Sequence, residues 1–374
     1  MSTTLAPPRG RGGQGREVID PRAGGASCPA NIRETKICFG FVPQTDLQTI
    51  NVVAEMWSMT KTNPALAVVT PVMEDDAQDI GKGDEFPTTV YPTNMDTGTA
   101  IEKYCSSEFM AWLFCFTTGK ATKTILGTTG QSYAAIPSDP VVDCINVPPF
   151  TYAEQIRPEP DSVIDRGLIG MVINDFAIML ESGPGRANCR VTVNCVGTGS
   201  IANPSGIVMP ALETEHFLNA SGATINIQGI DYVLETSFIS AEFRWNNNVR
   251  LPSGYYPGSG TQNGFAIRGR MEYGNRECTF TFVARAAKGS REFNNLLNLF
   301  EGPATITVHG AMIGAGPQTH QFSLNMPRTM MSAVVNGEAD GIVTVNCTVR
   351  VLKPTTGAYV TMTAVCEKTG IFGL

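Results

Sequence analysis

The chain has 374 residues and a formal charge of −7, with 38 glycines, 24 prolines and only 16% charged side chains. This length predicts two domains of roughly 150 to 190 residues, and the composition predicts a β-rich chain with many turns. An acidic body argues against tight nucleic-acid binding, and no apolar run reaches the roughly 18 residues that cross a bilayer.

In chain order, residues 1–31 form a Gly/Pro/Arg-rich stretch without an apolar signal core, read as a flexible arm. Residues 1–40 carry six basic and three acidic groups, which leaves the remaining 334 at −10. Residues 65–94, "ALAVVTPVMEDDAQDIGKGDEFPTTVYPTN", read as strand, acidic tip, strand. Next comes "CSSEFMAWLFCFTTG" (105–119). Ser106 or Ser107 can cap a helix there, Glu108 suits its first turn and Gly119 stops it. Its expected anchors are Phe109, Trp112, Leu113 and Phe116. "KTILG" after it reads as a strand, and a Pro-rich insertion occupies about 120–160. Two further strands, "GLIGMVINDFAIMLE" and "CRVTVNC", flank a Gly-rich turn.

The second half repeats this layout. Residues 241–274 offer strand-like ends around "NNNVRLPSGYYPGSGTQNG", a second candidate arm. A helix with Ser290 as cap follows, with Phe293, Leu296, Leu297 and Phe300 spaced as one apolar face and Gly302 as its stop. Then come "TITVHG", "QTHQFSLNM", "MMSAVVNGEADG" and a second "VTVNC" at 343–347, which matches 191–195. Caps, anchors and strand order agree together, so the halves are expected to be two copies of one module.

Chemistry is absent from this reading. The ten cysteines form no CxxC and no Cys/His cluster, and those within strands behave as small apolar side chains, read as free thiols in a reducing cytoplasm. Of the three histidines, His309 and His320 are brought near each other by a hairpin; His216 sits near Glu213 and Glu215 but lacks a second ligand at metal spacing. No nucleophile elbow, phosphate loop or dinucleotide fingerprint is present. The expectation is no enzyme, no metal and no cofactor.

"VPPFTYAEQIRP", "RGLIGMVINDFAIMLESGPGRANCRVTVNCVGTGS", "EFRWNNNVR", "GYYPGSG", "AIRGRMEYGNRECTFTFVARA" and "EADGIVTVNC" resemble the tail tube proteins of long-tailed bacteriophages, from about residue 32 to the end. The resemblance implies a mainly β fold of two tandem β-sandwich or partial-barrel modules, 32–212 and 213–374, each with one short flanking helix. It implies rings of three chains with pseudo-sixfold symmetry, stacked into a hollow tube through which genome DNA is ejected.

The implied partners are other copies of the chain, a tail terminator, baseplate or tail-tip proteins, a tape-measure protein and then double-stranded DNA sliding past an acidic wall. No membrane partner is implied. The implied location is the virion tail, assembled in the bacterial host cytoplasm. The family's inter-ring hairpin maps onto both arms, so Glu74, Asp75, Asp76, Asp79, Asp84, Glu85, Asn247, Asn248, Arg250, Tyr255 and Tyr256 are the expected inter-ring contacts. Two alternatives stay open: the inner tube of a contractile injection device carrying protein cargo, and a β-rich tail-tip hydrolase or carbohydrate-binding protein.

Overall fold

The computed structural model describes residues 35–63, 65–76, 86–138, 147–156, 164–202, 209–233, 238–251, 253–286, 291–339 and 341–374. The first half runs β1 (Thr35–Gly40), β2 (Met56–Ser58), β3 (Val68–Asp75), β4 (Val90–Tyr104), α1 (Ser107–Thr118), β5 (Ala121–Leu126), β6 (Gly130–Ala135), β7 (Phe150–Ile156), β8 (Ile164–Glu181), β9 (Cys189–Gly197) and β10 (Ile201–Ala202). The second runs β11 (Ala223–Ile227), β12 (Ile230–Asp231), β13 (Phe238–Asn246), β14 (Thr261–Gln262), β15 (Phe265–Ala266), β16 (Glu277–Arg285), α2 (Arg291–Leu297), β17 (Glu301–Met312), β18 (Thr319–Ala339), β19 (Ile342–Val351) and β20 (Thr361–Cys366). The fold is mainly β, as the composition and turn signals predict.

Two long strands organise the chain. The N-terminal part of β8 pairs with β7 and β10, and β7 continues through β1 to β2. Its C-terminal part pairs with β9, then β4, then β3. β18 divides its partners in the same way: its first part pairs with β17 and β20, and β17 continues through β11 to β12. Its last part pairs with β19, then β16, then β13. Both long strands break register where they pass between sheets. In β8 this is the step from Leu168 to Met171, where Gly170 has φ +65° and an added Cβ would lie 2.5 Å from the Leu47 carbonyl oxygen. Only glycine adopts that backbone without strain. In β18 the break lies between Met326 and Thr329, across Pro327.

Each half therefore contains a quartet in one order: β3-β4-β9-β8 and β13-β16-β19-β18. The two quartets join edge to edge, because β8 pairs antiparallel with β13 from Asp175 opposite Asn246 to Glu181 opposite Ser240. The result is an eight-stranded sheet crossing both halves.

The insertion is where sequence and structure differ most. β5 and β6 form a hairpin whose β6 pairs with β20 of the second half. "KTILG" is thus not the counterpart of "TITVHG"; that place is taken by β7, which pairs with β8 as β17 pairs with β18.

One hydrophobic cluster runs through both halves, from Phe39 and Trp112 to Trp245, Phe282 and Met362. α1 lies at its centre, buried along its whole length between β20, β6 and the 3-10 turn Ile371–Gly373. A helix apolar on all sides belongs inside a core. The Trp112 indole donates to the Gly40 carbonyl at 2.8 Å and packs against Phe39, Phe109, Phe116 and Phe150. Gly119 ends the helix at φ +76°. Ser106 precedes it, but its hydroxyl bonds Glu215 at 3.0 Å instead of capping the first turn.

α2 behaves differently. It is only seven residues long, and the chain turns out of it through Leu299 at φ +49°, so Gly302 is not its stop but part of β17. Leu296 is partly buried against the core, whereas Phe293, Leu297 and Phe300 are 48%, 65% and 46% exposed. Three of the four expected anchors do not anchor α2 within its own chain.

Candidate assembly surface

The eight-stranded sheet ends in two bare edges. At one end β3 pairs only with β4. At the other, β18 from Met331 to Ala339 pairs only with β19. Among the described residues neither outer side has a partner strand. An edge of this length presents a row of unpaired N–H and C=O groups, a template for another chain. Exposed apolar side chains mark both places: Val68 and Met73 on β3, and Val335 with Ile342 and Val343 around the β18–β19 turn.

The same sheet has one buried and one open face, following the period of two. In β9, Val191, Val193 and Cys195 point inward, while Arg190, Thr192 and Asn194 point out. The open side is a regular lattice. Glu102, Thr192, Ala177, Arg244, Thr279 and Arg350 form one continuous row across six strands. Part of it is hollowed, with a shallow concavity of about 580 Å³ running from Met179 and Glu181 past Ser240 and Thr281 to Val335 and Asn346.

The charges on this face nearly cancel. Its acids are Asp96, Glu102, Asp175, Glu181, Glu242 and Glu277; its bases are Arg190, Arg244, Arg285 and Arg350, and Asp96 is paired with the buried Arg268. Arg190 lies 3.3 Å from Glu181 and 4.0 Å from Glu102, and Arg244 lies 3.1 Å from Glu242. Thr, Ser, Ala and Asn lie between them, with a few apolar side chains such as Met179, Val283 and Val335.

A model of the phage tail tube proteins matches residues 38–351. The chain belongs to the phage tail tube family. No curated protein matches it. Membership makes it a structural protein of the phage tail, where copies of such subunits assemble into a tube. No helix among the described residues is long and apolar enough to cross a membrane.

In this tail tube protein the two candidate arms are not alike. Of the first, Glu74 and Asp75 are exposed on β3, and Asp79, Asp84 and Glu85 lie outside the described residues. Asp76 is buried: it accepts from the backbone N–H groups of Thr88 and Thr89 at 2.9 and 3.1 Å and from the Thr88 hydroxyl at 2.9 Å, tying the β3–β4 hairpin shut. That carboxylate is spent inside its own chain.

The second arm folds back onto the first half. Ala266 bridges Asn94 in parallel, Arg268 donates its backbone N–H to the Thr198 carbonyl at 2.7 Å, and its buried guanidinium pairs with Asp96. Tyr255 donates to Asp96 at 2.7 Å beneath the same guanidinium. Asn247 is fully buried; its amide donates to the carbonyls of Thr117 and Ile173 and its oxygen accepts the Trp245 indole N–H. Tyr255 and Asn247 are therefore intramolecular positioning groups, not free contacts. Asn248 (φ +55°), Arg250 and Tyr256 stay on the surface, with Arg270 over the Tyr256 ring.

A polar cluster lies where the second half begins. Lys103, only 1% exposed, pairs with Glu215, which also accepts from Thr60 and Ser106. Burial holds the Lys103 ammonium below its usual range, and Glu215 opposes the shift. Beside it Glu108 accepts the His216 backbone N–H at 3.0 Å and pairs with His216 Nδ1 at 2.7 Å, with His320 Nδ1 3.7 Å away. The imidazoles stack at 3.8 Å and 14°. Metal–imidazole bonds lie in the ring plane, so two parallel rings cannot both aim at one ion; His320 Nδ1 also holds the Ser107 hydroxyl at 2.8 Å. These side chains clamp the segment 213–217 onto α1.

The sequence alone does not reveal this cluster, because its members come from four distant segments, around Thr60, Lys103–Glu108, Glu215–His216 and His320. It does not reveal the β18 edge either, although exposed Val335, Ile342 and Val343 beside "NGEADG" are the kind of pattern that marks an unpaired strand. The cysteines of the core are free thiols, and burial pushes Cys38, Cys115 and Cys347 up to about 12.

Proposed function

We propose that this protein is the major tail tube subunit: two tandem modules per chain, near 32–212 and 213–374, three chains per ring, and rings stacked into the conduit for genome DNA. The observation that carries the reading is the β8–β13 seam. It joins two quartets of identical order and leaves one edge of each kind bare. A contact that already works between halves of a chain can repeat between chains, and a head-to-tail contact closes into a ring when its rotation allows. Three chains bring 24 strands, above the 16 to 18 that leave an aqueous channel in porins. The near-neutral open face is then the lumen wall.

The seam also sets the register between chains. Asn194 faces Asp175 as Asn346 faces Val335, and Asn94 faces Val72 as Glu277 faces Asn246. Asp175 lies opposite Asn246, so Val335 lies opposite Val72 of the next copy, Gly337 opposite Thr70 and Ala339 opposite Val68. The experiment is thiol cross-linking of Val72→Cys in one tagged chain to Val335→Cys in another, with Cys28 and Cys144 replaced by serine and imaging of the assembled tubes. Cross-linked pairs and threefold rings are expected. Compact monomers without cross-links at high concentration sink the reading.

The β3–β4 hairpin, with Phe86, Val90 and Tyr91 exposed near its tip, is the inter-ring arm in this reading. Tail terminator, tip and tape-measure proteins are its further partners, and the duplex passes without specific binding.

A further inference from the structure

α1 and α2 occupy corresponding places in their halves yet have opposite fates. α1 packs on β8 of its own half, and its far side is covered by β20 and the turn Ile371–Gly373, which belong to the other half, and by β6. α2 packs on β18 of its own half. Among the described residues no strand does for α2 what β20 does for α1. Its outer side shows Phe293, Leu297, Leu299 and Phe300, each between 46% and 65% exposed. Four large apolar side chains within eight residues are left facing water, which solvates them poorly.

The strand pairings say which surface fits. β20 pairs with the first part of β18, with Gln321 opposite Val365, and β10 pairs with the first part of β8, with Ile201 opposite Leu168. β10 thus stands in the first half where β20 stands in the second. The outer edge of β20 is filled by β6, whereas β10 has no second partner among the described residues. Within the chain, the β8–β13 seam and the α1–β20 contact run in the same direction, from first half to second. One step further, that pair of contacts becomes β18 to β3 and α2 to β10 of the next molecule.

We infer that the exposed face of α2 is a docking site for a second copy of this chain, which seats it against the β10 end of its first sheet around Ile201 and Ala202. This rests on the ring reading above and adds a second contact, on the outer layer, to the edge pairing of the inner sheet. The helix does the same work twice: α1 locks the two halves of one chain, and α2 locks one chain to the next. α2 is short and open in the isolated subunit because the surface that completes it belongs to a neighbour.

Two differently tagged chains, one carrying Leu297→Cys and the other Ile201→Cys, both with Cys28 and Cys144 replaced by serine, test this on assembled tubes with a short bis-maleimide. The Val72→Cys and Val335→Cys pair runs in parallel. Cross-linking of the mixed Leu297/Ile201 pair is expected. If only the Val72/Val335 pair links, the docking site is wrong and the ring reading stands; if neither links, both fall. Self-linking of Leu297→Cys chains alone, which puts α2 against α2, also overturns it. As an independent readout, Leu297→Glu with Phe300→Glu should leave the melting temperature of the monomer unchanged and lower tube yield at least tenfold. Unaltered tube yield overturns the inference.

Discussion

The side-chain amide of Asn247 donates to the backbone carbonyl of Ile173 at 2.9 Å, bonding the residue that follows β13 to β8, the last strand of the first quartet. The same amide reaches Thr117 at the end of α1, and the Asn247 oxygen holds the indole of Trp245. One buried side chain thus fastens strand, helix and seam together.

Replacing Asn247 by alanine strips partners from two buried carbonyls and one indole N–H. Each orphaned group costs about 1–3 kcal/mol, and partial relaxation leaves a net loss near 3 kcal/mol. Urea denaturation should show a lower midpoint with the same slope. A midpoint within error of the parent chain contradicts the role given to Asn247.

Trp112→Ala empties the centre of the core around α1, where Trp112 is 0% exposed. Loss of about 3–5 kcal/mol is expected for a large aromatic at such a site. Phe300→Ala, at 46% exposure, should cost less than about 0.5 kcal/mol in the monomer. Thermal unfolding of the two variants side by side checks the contrast; equal losses would mean α2 is anchored after all.

Burial, and then the stacked His216 ring, hold the His320 imidazole below its ordinary value of 6.5, against the opposing pull of Glu108 and Glu367. The unfolded chain therefore takes up a proton before the folded one does. Stability contributed by neutral His320 is complete above about pH 6.5 and falls as the pH drops toward the lower folded value. Denaturation midpoints measured between pH 7.5 and 5 should decline, and His320→Gln should flatten that decline. An identical decline in both proteins removes His320 as the cause.

Glu277→Lys changes the open face by two charges per chain, at an exposed position opposite Asn246. If that face lines the conduit, every ring gains a cluster of lysines that can contact phosphates. DNA release from particles carrying the variant should slow, and the delay should shrink steeply as salt rises. Release at the parent rate with no salt dependence means that this face does not meet the duplex.

The residues themselves determined the local elements. Alternating Val and Thr around both "VTVNC" stretches dictate strands with one buried face, and Glu108, Trp112 and Gly119 delimit a helix, because period and capping act over a few residues. Order along the chain also made the two halves comparable. Partner choice was another matter. Nothing in "KTILG" says that its hairpin crosses to β20 of the other half, and nothing in "GYYPGSG" says that its Tyr255 reaches Asn94 and Asp96 of the first half. Asp76 and Asn247 read as surface residues because their type is polar; only packing reveals that their hydrogen bonds are made internally. Phe293 and Phe300 carry the spacing of a buried face, but burial is a property of the surface opposite, and among the described residues no strand covers them. Strand pairing over more than a hundred residues is fixed by the global arrangement of edges, which no local pattern encodes.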